Sequence, residues 1–351
     1  MNHHAVIFAL LSAALFGVST PAAKALLGSI DPAILAGLLY TGAGIGIAVL
    51  RRVAKPLLAP KTAIETPLSL GELPWLAGAI VAGGIIGPVL LMIGFSRTDA
   101  AATSLLLTLE GVATALLAWF VFHESFDRRI AVGMACLVAG AVLLSWTGQP
   151  TLSGTIGPIA IVGACVARGL DNNLTRKVSL ADPLQIVELK GLIAGPVNLT
   201  LGLVSGGSLP PLSPLVVAGI VGFVGYGVSL TLFVMALRHL GTARTGAYFS
   251  TAPFLGTVVA ILLLHEPVTV QLLVTGLLMA IGVWLHMTEI HQHDHDHLLM
   301  DHAHPHVHDA LHQHVHGASD PPGEPHTHAH RHAPLRHTHP HVPDMHHIHR
   351  H

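Results

Sequence analysis

The chain has 351 residues, 51% of them hydrophobic and only 10% charged, with a mean hydropathy of +0.63 and a formal net charge of −2. That balance excludes a soluble two-domain protein, and it excludes bulk nucleic-acid binding, because no basic patch large enough to neutralise many phosphates exists. The two cysteines, Cys136 and Cys165, lie in apolar runs and read as packed thiols rather than as a disulfide or a zinc pair.

A hydrocarbon core about 30 Å thick needs roughly 20 apolar residues at 1.5 Å each, and fewer where a helix is short or packed inside a bundle. In chain order, ten stretches qualify: residues 5–27, 33–50, 73–95, 100–122, 130–146, 156–174, 183–204, 215–237, 245–264 and 270–287. The fifth is short and the sixth is interrupted by polar residues. The first reads as a retained helix, since Met1-Asn2-His3-His4 lacks a basic flank and further spans follow. Beyond them the composition changes abruptly: 23 of the 28 histidines and 8 of the 19 acidic residues lie after residue 285. The expected fold is an all-α polytopic membrane protein of ten transmembrane helices. Residues 1–147 form one five-helix repeat, 148–287 a second, and 288–351 a disordered His-rich tail.

Orientation follows from the basic residues in the connections. With the N-terminus inside, the cytoplasmic loops hold Arg51, Arg52, Lys55, Lys61, Arg128, Arg129, Arg176, Lys177, Arg238 and Arg244, against Arg97 and Lys24 outside. Ten spans return the tail to the cytoplasm, so the chain reads as a multi-pass protein of a bacterial-type inner membrane with both termini cytoplasmic.

The two halves repeat. Phe122-His123-Glu124 matches Leu264-His265-Glu266 at a shift of 142, which also sets Thr103 on Thr245 and Gly140 on Gly282, and Asp31-Pro32 matches Asp182-Pro183 at a shift of 151. Five spans per half is odd, so the second copy enters the membrane with opposite polarity, as in many secondary transporters.

These features resemble the drug/metabolite transporter superfamily and its EamA-type repeat. The likeness is carried by residues 116–124 with Gly133 and Gly140, and by 253–266 with Gly276 and Gly282. The chain departs from the pattern at Glu110-Gly111, where the second half has Ala252-Pro253. The resemblance implies a non-enzymatic transporter for amino acids, sugars, drugs or other solutes. Joined to a His-rich tail, it further resembles the superfamily's nickel and cobalt resistance exporters.

In the tail, His alternates with other residues: His291, His293, His295, His297; His302, His304, His306, His308; His312, His314, His316; His326, His328, His330, His332; and His337, His339, His341. Neutral imidazole is the usual ligand for zinc, nickel, copper and cobalt, and Asp294, Asp296, Asp301 and Asp309 add oxygen donors. The bland readings are an expression tag and a merely solubilising, disordered extension; a tag would be a contiguous run, whereas here His alternates with other residues.

Inside the spans, ionisable residues are costly enough to be functional candidates, at about 2.5 to 3.5 kcal/mol for a charge at the bilayer centre. Glu110, Asp171, Asn172, Asn173 and Glu188 are expected to line a transport path. Glu110 stands opposite Ala252 and Glu188 opposite Gly37 in the repeat, so neither is required by the scaffold. Arg168 and Asp171, three apart on one helix, could instead form a structural ion pair, and Glu188 and Lys190, two apart, point in different directions. His123-Glu124 and His265-Glu266 read as helix-end groups bonded to loop backbone. The glycines at 83, 84, 87, 219, 222, 225 and 227 read as packing, since no Walker A pattern supports an ATPase.

The leading expectation is an exporter of a divalent transition metal, nickel or cobalt first and zinc next, driven by proton antiport, with no required cofactor and the tail as a metal buffer. The alternatives are an exporter of amino acids or other small metabolites, and a membrane-anchored metal store or sensor. Expected partners are the bilayer, divalent metal ions and a second copy in a homodimer, with no nucleic acid.

Overall fold

Each apolar stretch predicted from the sequence is helical over most of its described residues. The computed structural model describes residues 3–58, 67–121, 128–145, 152–287, 291–296, 300–306, 326–332 and 336–341. The first half contains α1 (His3–Leu26), α2 (Pro32–Leu58) and α3 (Leu73–Ala79), which continues through a π-helical segment (Ile80–Ile86) into α4 (Gly87–Arg97). It then adds α5 (Ala100–Leu106), α6 (Leu109–Phe120) and α7 (Arg128–Ser145). The second half contains α8 (Leu152–Val178), α9 (Pro183–Val204) and α10 (Leu212–Val221), which passes through a second π-helical segment (Gly222–Val228) into α11 (Ser229–Phe249), followed by α12 (Ala252–Leu264) and α13 (Val270–Met287).

Among the described residues, seven runs are long and apolar enough to cross a membrane: His4–Leu26, Pro32–Val53, Leu70–Arg97, Ala100–Phe120, Pro183–Val204, Leu212–Leu240 and Thr245–Leu264. The other three of the expected ten are helices in the expected places. Ala131–Ser145 and Val270–Leu285 are apolar but shorter, and α8 carries Arg168, Asp171, Asn172 and Asn173 within its length.

The repeat is visible in the irregularities. The two π segments begin at Ile80 and Gly222, the same 142-residue shift that aligns the sequence, and helix breaks at Leu107-Thr108 and Ser250-Thr251 fall one residue from that register. Pro88 has no N–H, so it denies Gly84 its i+4 donor and Gly83 its i+5 donor. Side chains from other helices replace them: Tyr40 Oη donates to Gly83 O at 2.7 Å and Asn198 Nδ2 to Gly84 O at 2.8 Å. The π segment is thus tied at its weakest point to α2 and α9.

Packing has the same twofold character. α1 lies against α10–α11 and α12, while α8 lies against α3–α4 and α6. α2 completes the first group by packing on the second π segment, and α9 completes the other by packing on the first. The groups meet along α2 and α9, where backbones touch: a Cβ on Gly44 would lie 2.5 Å from Leu192 N, so only glycine fits. α7 and α13 pair beside this arrangement.

The described strands lie in the tail. β1 (His291–Asp296) pairs antiparallel with β4 (Arg336–His341), and β2 (Met300–His306) with β3 (His326–His332), with registers such as His293↔His339 and His304↔His328. The sequence reading expects no regular structure there. Alternation with period two is, however, the periodicity of a strand, and it is what the backbone adopts. His297, His308, His312, His314 and His316 lie outside the described residues.

Candidate functional site

Two ion pairs join α6, α8 and α9, and neither is the Arg168–Asp171 pair weighed as an alternative from the sequence. Arg168 does not pair with Asp171 on its own helix. Its Nε donates to Glu110 Oε2 at 2.6 Å and its Nη2 approaches Glu110 Oε1 at 3.5 Å. Asp171 instead accepts from Lys190 Nζ at 2.5 Å and from Thr175 Oγ1 at 2.8 Å. Helix geometry explains the exchange. A shared face puts Arg168 and Asp171 side by side, both aimed at neighbouring helices, and α6 and α9 each bring a countercharge to meet them. Asn172 completes the cluster, donating to Glu110 Oε1 at 3.0 Å and Thr114 Oγ1 at 3.2 Å. Lys190 is 1% exposed, and Asp171 presses so closely on Gly83 of the first π segment that a Cβ there would overlap its carboxylate.

Facing this charged wall is an aromatic one. Phe16, Tyr40, Tyr226, Phe233 and Phe249 line, together with Glu110, Arg168, Asp171, Asn172 and Lys190, a partly open cleft whose empty space, including solvent at its mouth, is about 540 Å³. The chain has only 10 Phe, 4 Trp and 3 Tyr, so three Phe and two Tyr at one place is a concentration. The rings support one another: Phe16 meets Tyr226 edge-on at 5.7 Å and Phe249 at 5.3 Å, and Phe233 meets Phe249 at 5.0 Å. The Arg168 guanidinium crosses between the walls and lies 4.6 Å over the Phe16 ring. A second cavity of about 340 Å³ extends the first past Gly246, Ser250 and Pro253 at the break between α11 and α12, sharing Phe16, Glu110, Asn172, Phe233 and Phe249.

The walls follow the two helix groups. Every charged residue comes from α6, α8 or α9, and every aromatic residue from α1, α2, α11 or the π segment that feeds it. A solute held here is held by both groups at once. Each group draws helices from both repeats, so the cavity is built jointly by the two halves of the chain.

Of the expected path residues, Glu110, Asp171 and Asn172 therefore meet at one cavity. Asn173 turns away, donating to the backbone oxygens of Thr114 (3.1 Å) and Gly169 (2.9 Å). Glu188 sits elsewhere, bound to Arg51 at 2.9 Å and near Arg52 at 3.6 Å, with Asp182 on the same Arg51 at 3.2 Å. That cluster joins the ends of α2 and α9, and neither cavity includes it. At the opposite end, Glu266 accepts from Ala100 N and Ala101 N, both at 2.8 Å, and so caps α5. His265 ends α12 in the left-handed region, with φ 54°. The helix-end reading thus describes His265-Glu266, while His123-Glu124 lies outside the described residues. Among residues whose side chains are described, no three His, Cys, Asp or Glu groups are placed to hold a metal ion. Cys165 is buried and Cys136 half-buried, both free.

The sequence reading missed the aromatic wall and left Lys190 out of the path. A countable signal existed, because ring residues are scarce throughout the chain, but helical periodicity alone does not say which rings face each other across a bundle.

Comparison with known proteins agrees with the repeat. The EamA-like transporter family matches residues 3–146 and again 155–288. An uncharacterized transporter of Methanothermobacter thermautotrophicus (strain Delta H) is 26% identical over 283 residues, covering 77% of this chain and 82% of that protein. A solved crystal structure superposes with a TM-score of 0.62 at 15% identity, covering 81% of this chain and 96% of the other, a likeness of fold.

Proposed function

The chain belongs to the EamA-like transporter family, and on that premise we propose that it is a secondary transporter carrying a small organic solute through the cavity between its charged and aromatic walls. The observation that carries this reading is the charge balance of the cavity. Glu110 and Asp171 are each matched there by a cation, Arg168 and Lys190. A divalent metal ion would meet no uncompensated negative charge and would have to drive two cations off their partners, which costs several kcal/mol per buried pair broken. A solute of the amino-acid or small-metabolite kind, with ionic groups for one wall and a flat or apolar part for the other, fits both. Two carboxylates in a water-accessible cavity are also suited to proton coupling. The basic-residue asymmetry supports cytoplasmic termini.

The second reading, export of nickel, cobalt or zinc, is favoured by the tail, whose alternating histidines suit metal binding. In this account the tail is a metal-binding appendage of a solute carrier. The test is a comparison of cells with and without the protein. Metabolite profiling of the medium should show accumulation of a small amphoteric solute, with nickel and cobalt tolerance unchanged. Raised metal tolerance with lowered cell metal and an unchanged medium would replace this reading with the metal one.

A further inference from the structure

We propose that Arg168 is the specificity-determining residue of the cavity. It acts as an internal cation that a solute can displace only if it brings a negative charge of its own. The proposal rests on the organic-solute reading above and identifies which solutes qualify.

Three observations converge on it. First, Arg168 fills a site shaped for a cation. The guanidinium lies 4.6 Å over the Phe16 ring while Nε and Nη2 face the Glu110 carboxylate. A carboxylate combined with an aromatic face is what an ammonium or guanidinium group recognises. Second, the pair with Glu110 uses only part of the guanidinium. Nη1, with its two N–H bonds, is not part of it and is chemically suited to a second carboxylate. Third, Arg168 is the charged side chain that reaches from the α6–α8–α9 wall to a ring on the other wall. Its position therefore depends on whether the space between the walls is filled.

The specificity follows from the chemistry of arginine, which does not deprotonate in proteins. A solute ammonium entering over Phe16 can take Glu110 as its partner, but it then leaves a buried guanidinium without a countercharge. The remaining charges facing it offer no relief, because Asp171 is held by Lys190 and Thr175. A zwitterion removes the difficulty. Its ammonium takes the place of the guanidinium at Glu110 and Phe16, and its carboxylate takes the guanidinium itself. A simple amine lacks the second step and a simple carboxylate lacks the first, so rejection of both comes from the unpaired charge each would leave.

The test measures equilibrium binding of three labelled solutes to the full-length protein in nanodiscs: L-phenylalanine (zwitterion), 2-phenylethylamine (cation) and 3-phenylpropionate (anion). The parental protein should prefer phenylalanine to either of the others by about tenfold or more, the scale set by one charge left unpaired in a partly buried site. Arg168→Gln should invert the order, gaining affinity for phenylethylamine and losing it for phenylalanine. Arg168→Lys keeps the charge but loses the planar fork, so it should keep the order with a smaller ratio. Phe16→Leu should weaken the two amine-bearing solutes by more than it weakens phenylpropionate, because only they lose a cation–π contact in addition to ring packing. If phenylalanine binds the parental protein and Arg168→Gln or Arg168→Lys retains the parental ratio, the role of Arg168 is overturned while the organic-solute reading stands. If the parental protein binds none of the three, that reading fails and the proposal fails with it.

Discussion

The two walls of the cavity are built by different rules. The charged wall is made of groups that demand partners: each ion is held by a countercharge at 2.5 or 2.6 Å, and the whole is closed by Asn172 and Thr175. The aromatic wall is made of rings whose contacts are individually weak and tolerant of exchange. A change on the first wall should therefore be paid for in stability and turnover, whereas a change on the second should appear as affinity.

The largest effect is expected at Lys190. Lys190→Met leaves Asp171 buried with only Thr175, and removal of one partner of a buried pair costs about 3 to 5 kcal/mol. This should appear as a sharply lowered melting temperature and poor expression. Replacing both members with apolar residues, as in Lys190→Met with Asp171→Leu, should recover much of the stability while transport stays lost. A single variant as stable as the parent would show that the pair is not the constraint that geometry suggests.

Next comes Glu110. Glu110→Gln keeps the shape and the Asn172 hydrogen bond but removes the charge that faces Arg168, so transport should fall by about tenfold or more, the scale of a charge-assisted hydrogen bond, while the protein still inserts. Parental rates and an unchanged pH profile would make this carboxylate structural. On the opposite wall, Phe249→Leu should weaken solute binding by about three- to tenfold, corresponding to roughly 0.5 to 1.5 kcal/mol for a ring in an aromatic cluster, with maximal rate little changed. A fall in rate at constant affinity would contradict the division between the walls.

The smallest effect is expected outside both walls. Glu188→Gln disturbs the cluster with Arg51 and Arg52, away from the cavity, so the solute dissociation constant should stay within about twofold, as for sites with no shared partners. A large loss of affinity would return Glu188 to the transport path.

Most of the scaffold was legible in the sequence because it depends on periodic and local features. Apolar length placed the helices, and the matching His-Glu motifs revealed a repeat that the structure expresses again as π segments 142 residues apart. The site was legible only in part. Glu110, Asp171 and Asn172 stood out as charges and amides in apolar surroundings, but their partners did not. Whether Asp171 pairs with Arg168 or with Lys190 depends on how α8 is rotated against α6 and α9, which spacing along one helix does not contain. Glu188 stood out for the same reason as Glu110, yet it is held by Arg51 and Arg52, which lie within the last turns of α2. The aromatic wall is assembled from α1, α2, the second π segment and α11, and no local pattern joins residues as distant as Phe16 and Phe249.

The central claim is that a small organic solute, not a metal ion, occupies the space between the walls. Its most direct test is efflux from proteoliposomes that contain the full-length protein and are loaded with an equimolar pool of amino acids, small amines, small carboxylates and nickel chloride, with every species quantified outside over time. The account predicts protein-dependent appearance of one or more zwitterionic solutes, abolished by Glu110→Gln, with nickel leaving no faster than from empty vesicles. Protein-dependent nickel efflux with the organic pool retained would contradict it.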